Sequence, residues 1–313
     1  MKRLFLALLF LSVFSTLVTG VTEEEISSAL ALFPEAHDVA VTLSEEGRIA
    51  LESAIEVLEM ALGVTVLFDH TDEAAYMALS VGLDSKTVVN ALSRGYYTLA
   101  DVFLTEDEAK MAAFTRGQFW GLKSLRMSQT FSEEEVRHGF IDAVNQETDV
   151  AALFWTYGNW SRKDEYDKVG AVFRNDPPKL RALIERALDV DPTYAVDAPY
   201  RALAAFWSGL PPMPLFEYGQ NLPRALSYIC PVINEPDYCQ ACPNCPLVGD
   251  ADDYFENRLI FAQYYLMEMG LWEDAARVLQ SILDEPIGEK YPLYNAYCVQ
   301  VAQALMDEVV ENL

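Results

Sequence analysis

The chain has 313 residues, of which 51% are apolar, with 48 Asp and Glu against 22 Lys and Arg for a formal net charge of −26. So high an apolar share excludes an extended acidic polymer and implies a sizeable core. The sign of the charge excludes binding of nucleic acid or anionic lipid through a basic surface.

Lys2 and Arg3 precede an uncharged apolar run from Leu4 to about Leu17, closed by Val18, Thr19 and Gly20 ahead of an acidic stretch that begins at Thr22. That is the layout of a cleaved secretory signal, residues 1–20. The run is shorter than the ~20 apolar residues that span a bilayer, and no later stretch reaches that length. Cleavage removes two positive charges, taking −26 to −28, and leaves 313 − 20 = 293 residues. A chain of that size suits two ordinary domains or one elongated repeat array. The organisation expected is an acidic N-terminal segment at 21–43 followed by one helical-repeat domain at 44–313, with a Cys-rich insertion at 230–250.

Apolar residues recur with helical spacing almost throughout, which predicts an all-α fold. Ser44 to Leu62 begins with a Ser cap and an acidic first turn, and Leu51, Ile55, Leu58 and Leu62 share a face. Ser85 to Phe103, Glu106 to Met127 and Ser132 to Asn145 come next, the last opening on the capping-box pattern SEEE. Val64 to Phe68 has strand chemistry but only five residues, and is read as a helix end and turn. Pro177 and Pro178 stand at the first turn of a helix that stops near Asp191-Pro192. The Pro-rich stretch 209–220 is a loop.

Between Ala152 and Lys163 the sequence ALFWTYGNWSRK carries Phe154, Trp155, Tyr157 and Trp160. At about 100° per residue, Trp155 points about 140° away from Trp160, so a single stripe cannot hold all the rings. Such a helix is buried on more than one face or lines an internal cavity. Tyr96, Tyr97, Phe119, Trp120, Trp155, Tyr157 and Trp160 are the candidates for a ligand-facing wall, mixed with rings that only pack. Arg116 and Arg162 lie beside these clusters in a chain poor in cations. Each is positioned to stack on a ring, to bind a ligand carboxylate, or to form an ordinary salt bridge.

Leu259 to Pro286 places Gly270 in a turn, Trp272 two residues later, Ala275 and Ala276 where helices approach, and Pro286 at the end. That order matches a helix–turn–helix unit of the tetratricopeptide (TPR) type. Weaker copies run from Lys179 to Leu210 and from Gly219 to Ile229, and together they predict an α-α superhelix of TPR-like hairpins.

Cys230, Cys239, Cys242 and Cys245 fall in CPVINEPDYCQACPNCP, with Cys298 far downstream. An exported chain favours two disulfides among the four, while the C-x2-C-x2-C spacing leaves metal binding and free thiols open as alternatives. Cys298 reads as a buried free thiol. His138 and Glu134 form an i,i+4 pair read as a solvated surface contact. Nucleophile elbows, phosphate-cradling glycine loops and H-E-x-x-H segments are absent from the sequence. No catalytic residue, resident metal or cofactor is therefore expected, and the chain is not read as an enzyme.

The stretches SRGYYTLADVFL, TRGQFWGLKSL and ALFWTYGNWSRK resemble, in that order, the T component (TatT) family of TRAP-type transporters. So do LIERALDVDPTYAVDAPYRALAAFWSGLP and AQYYLMEMGLWEDAARVLQSILDEP further on. The resemblance covers roughly Ser85 to the C-terminus. It implies TPR-like helical repeats, a homotrimer, a place in the periplasm beside the transporter's solute-binding subunit, and internal apolar channels for a hydrophobic or amphipathic ligand. Members are commonly lipoproteins, yet here Val21 occupies the place of the lipidated cysteine and the earliest cysteine is Cys230. A general TPR-type interaction scaffold of the cell envelope, without ligand transfer, is the alternative reading.

Overall fold

Short polar side chains at chain turns decide where the helices begin. Thr22 accepts from the Glu25 amide while the Glu25 carboxylate bonds back to the Thr22 amide, a complete capping box. Ser44, Asp72, Ser128, Asp149, Asp167 and Asn221 cap later helices with a side-chain oxygen that accepts from a first-turn amide. The computed structural model describes residues 20–34, 38–212, 218–239 and 253–313. The expected signal segment up to residue 19, part of the Pro-rich loop (213–217), Cys242 and Cys245 lie outside the described residues.

The structure is 75% helical, with 16 α-helices and no strand among the described residues. In chain order these are α1 (Glu23–Leu30), α2 (Glu45–Ala61), α3 (Glu73–Ala78), α4 (Lys86–Thr98), α5 (Asp107–Met127), α6 (Gln129–His138), α7 (Phe140–Gln146) and α8 (Val150–Glu165). They continue with α9 (Lys168–Phe173), α10 (Asp176–Val190), α11 (Tyr194–Gly209), α12 (Leu222–Ile229), α13 (Pro236–Cys239), α14 (Phe255–Phe261), α15 (Trp272–Asp284) and α16 (Pro292–Asn312). Two of them are prolonged by a π turn, α4 through Leu99–Phe103 and α14 through Ala262–Leu266. Among the described residues no helix is long and apolar enough to cross a membrane.

Most expected boundaries hold within a residue or two, including the Pro-led start of α10 and its stop at Val190. Val64 to Phe68 is a turn, with Val66 and Leu67 fully exposed. The span Ser132–Asn145 is corrected. Its cap is Ser128, which accepts from the Phe131 amide at 3.3 Å, and Ser132 lies inside the helix, donating to the Arg126 carbonyl at 2.7 Å. Gly139, at φ +97°, then separates α6 from α7, a conformation open to glycine for want of a Cβ. The break lets Phe140 meet Phe131 at 5.8 Å and Trp160 at 5.9 Å.

Packing is tightest where α5 crosses α8. A Cβ on Gly117 would stand 2.1 Å from Asn159 Oδ1, and one on Gly121 would stand 2.4 Å from Thr156 Oγ1. The two glycines let the backbones meet, and Asn159 ties the junction by donating to the carbonyls of Trp155 at 2.8 Å and of Ser93, on α4, at 2.9 Å. In the repeat unit expected near the C-terminus, Gly270 (φ +69°) makes the turn and Ala275 is fully buried. The segment before α2 is bound to the last helix: the Asp38 carboxylate accepts from the amides of Leu293 (2.8 Å) and Tyr294 (3.3 Å). Residues far apart in the chain thereby share one core, in which Val39 and Leu293 are both buried.

Candidate ligand-binding cavity

The ring-bearing helix α8 is enclosed by other helices. Leu153, Phe154, Trp155, Tyr157 and Trp160 are all buried, none more than 7% exposed. Trp155 Nε1 donates to the Tyr194 hydroxyl at 2.8 Å, and its ring meets Phe154 at 4.9 Å and Tyr97 at 5.5 Å. Trp160 lies between Phe140 and the ammonium groups of Lys163 (5.9 Å) and Lys179 (5.3 Å). The remaining face of α8, carrying Phe154, Tyr157, Gly158 and Arg162, borders a cavity of about 650 Å³.

Helices α4, α8, α9, α10, α11, α14 and α16 wall this space. Both π turns contribute to it: Leu99–Phe103 supplies Asp101, and Ala262–Leu266 supplies Gln263 and Tyr264. A π turn adds a residue and rotates the side chains beyond it, and such turns are frequent at functional sites. Phe154, Leu180, Phe206 and Leu259 form an apolar wall, while Asp101, Arg162, Arg201 and Glu256 form a charged one.

The charges are paired. Arg162 donates to Asp101 and, at 2.9 Å, to Glu165. Burial works against the Arg162 charge, but the two carboxylates overcome it and hold the guanidinium's pKa well above its ordinary value. Arg201, 3% exposed, contacts Glu256 at 2.9 Å and lies 4.6 Å over the Tyr254 ring. It also donates to the carbonyls of Ala195 (3.1 Å) and Val196. Those acceptors belong to a left-handed turn, since Ala195, Val196 and Asp197 have φ of 50°, 57° and 62°. L-residues adopt this conformation at a cost of about 1–2 kcal/mol each, so the buried guanidinium stabilises an otherwise unfavourable kink at the start of α11. Burial pushes the Tyr97 phenol well above its ordinary pKa and that of Tyr264 to about 12.

Of the residues singled out from sequence, Tyr97, Tyr157 and Arg162 line the cavity. The others occupy different places. Tyr96 and Trp120 donate to the buried Glu59 carboxylate at 2.8 and 3.1 Å. Phe119 packs on Tyr76 at 5.3 Å, and Arg116 lies over the Tyr96 ring at 6.0 Å. Trp155 and Trp160 make core contacts, with Tyr194 and Phe140 respectively. Sequence reasoning missed Asp101, Arg201, Glu256, Tyr264 and Tyr297. Carboxylates are too numerous in this chain for Asp101 or Glu256 to stand out, whereas Arg201, a cation amid the apolar APYRALAAFW, was a usable signal.

The sulfurs of Cys230 and Cys239 are 2.28 Å apart, with Cα atoms separated by 5.4 Å, so these two cysteines form a disulfide. Cys298 is a buried free thiol whose pKa burial raises well above its ordinary value. His138 Nδ1 and Glu134 make an exposed contact at 2.6 Å.

No protein-family model matches the chain, and no curated protein matches it.

Proposed function

We propose that the protein is a periplasmic accessory, the T component, of a TRAP-type transporter. On this reading a TPR-like array of hairpins docks the solute-binding subunit and holds an amphipathic ligand in the α8 cavity, with no covalent chemistry. The observation that carries the reading is the cavity: about 650 Å³ among seven helices, within the usual range for small-molecule sites, lined by both apolar and charged side chains. The Cys230–Cys239 disulfide suits an oxidising compartment, and the ordered series of motifs from Ser85 onward supplies the family.

Two measurements on the exported chain test the proposal. Native mass spectrometry of protein purified without denaturation is expected to retain a small amphiphile, and Ala205→Trp, which fills the cavity, is expected to expel it. The same variant is expected still to bind the solute-binding subunit from the same genome in a pull-down at moderate salt. Protein that carries nothing and takes up nothing removes the ligand half of the reading. Failure to recover the solute-binding subunit removes the docking half.

A further inference from the structure

The charged wall of the cavity has more acceptors than donors. Asp101, Glu165 and Glu256 border it against two guanidiniums, those of Arg162 and Arg201. Each carboxylate uses a single oxygen: Asp101 Oδ1 and Glu165 Oε2 on Arg162, and Glu256 Oε2 on Arg201. Among the described residues, Asp101 Oδ2, Glu165 Oε1 and Glu256 Oε1 have no hydrogen-bond partner. The Asp101 side chain, 5% exposed, is thus a nearly buried carboxylate with one oxygen left to the cavity. Arg201 is engaged through Glu256, Asn257 (2.9 Å) and the left-handed turn, whereas Arg162 gives Nη1 and Nη2 to its two acids and keeps a buried Nε–H without a partner. Asp164 and Lys168, which also border the space, bring opposite charges, and Asp164 is bound by Arg174 at 2.9 Å.

We infer that this end of the cavity selects a cationic head group, so that the ligand is an amphiphile bearing an ammonium or amidinium group. The inference rests on the proposed function, in which the cavity holds an amphipathic molecule. A carboxylate or sulfate head entering here finds the Arg162 Nε–H and the Lys168 ammonium but faces the like charges of Asp101, Glu165 and Glu256. An ammonium meets acceptor oxygens that lack a partner and the rings of Tyr97, Tyr264 and Tyr297, whose π faces attract cations. The apolar wall of Phe154, Leu180, Phe206 and Leu259 takes the chain.

Isothermal titration of the lipid-stripped exported chain tests this with dodecyltrimethylammonium, dodecanoate and dodecyl maltoside. Each is kept below its micelle concentration, in about 0.15 M salt, where the field of the acidic surface is screened beyond about 8 Å. The ammonium is expected to bind at least about tenfold more tightly than dodecanoate, because the anion places like charges together in a desolvated site. Asp101→Asn and Glu256→Gln are each expected to reduce that ratio several-fold with an unchanged circular dichroism spectrum. Glu256→Gln, at a side chain 20% exposed, carries the test if Asp101→Asn does not fold. Equal or stronger binding of dodecanoate overturns the inference, as does a preference that survives in the variants, which assigns it to the acidic surface as a whole. If all three bind alike, the cavity reading stands and head-group selection falls. If none binds, both fall.

Discussion

Glu59 shows how much a single buried acceptor organises. It is 7% exposed and its carboxylate takes the Tyr96 hydroxyl at 2.8 Å and the Trp120 indole N–H at 3.1 Å. Removing the carboxylate strands two buried donors, each at about 1–3 kcal/mol. Glu59→Ala is therefore expected to lower the unfolding free energy by about 2–4 kcal/mol in urea titration, and Glu59→Gln, which keeps an acceptor oxygen, by less than half of that. Equal losses in the two variants would show that the hydrogen bonds contribute little. Tyr96 and Trp120 stood out in the sequence as possible ligand contacts because rings beside a scarce arginine look alike in either role. The partner that decides their role, Glu59, lies 37 and 61 positions away.

Among the elements, the α5–α8 crossing is the most demanding. A methyl group at Gly121 meets Thr156 Oγ1 at 2.4 Å and the Thr156 Cα at 2.8 Å, and the latter belongs to the backbone and cannot rotate away. Overpacking of this kind costs about 1–3 kcal/mol or more, against a gain of up to about 1 kcal/mol in helix propensity. Gly121→Ala is expected to lower the thermal midpoint by several degrees, and Gly209→Ala, whose added methyl meets nothing within 4 Å, to leave it within about a degree. A neutral Gly121→Ala would mean that the two helices stand further apart. Most helices were legible from apolar spacing and capping residues, and the N-terminal caps at Ser44 and Asn221 are local chemistry. The Ser128 start of α6 was not. SEEE at Ser132 is an equally good local signal, and packing of Phe131 and Phe140 decided between them.

At the scale of the molecule, Asp38 joins the two ends of the fold through the Leu293 and Tyr294 amides. Burial pushes its carboxyl up to about 6, against the lowering effects of those amides and of Arg94. With a folded-state pKa raised above the unfolded value of 3.8, its contribution is fully present below about pH 4 and is lost as pH rises through about 6. The loss is about 2–3 kcal/mol, at roughly 1.4 kcal/mol per pKa unit. Asp38→Asn keeps an acceptor but does not titrate. Relative to the native chain its stability is expected to improve by that amount between pH 4 and pH 7 in parallel denaturation curves. A stability difference that stays constant across that range would show that Asp38 is ionised without penalty.

Apolar spacing, capping residues and paired breakers determined locally that the chain is helical, and nearly where each helix starts and stops, because these effects act within a few residues. An exported chain favoured disulfides among the four clustered cysteines, but only geometry paired Cys230 with Cys239. Tertiary structure alone decided which rings border the cavity and which acids and arginines meet there. Asp101, Arg162, Arg201 and Glu256 come from four helical segments, and each is chemically ordinary until burial and proximity set its charge against the others.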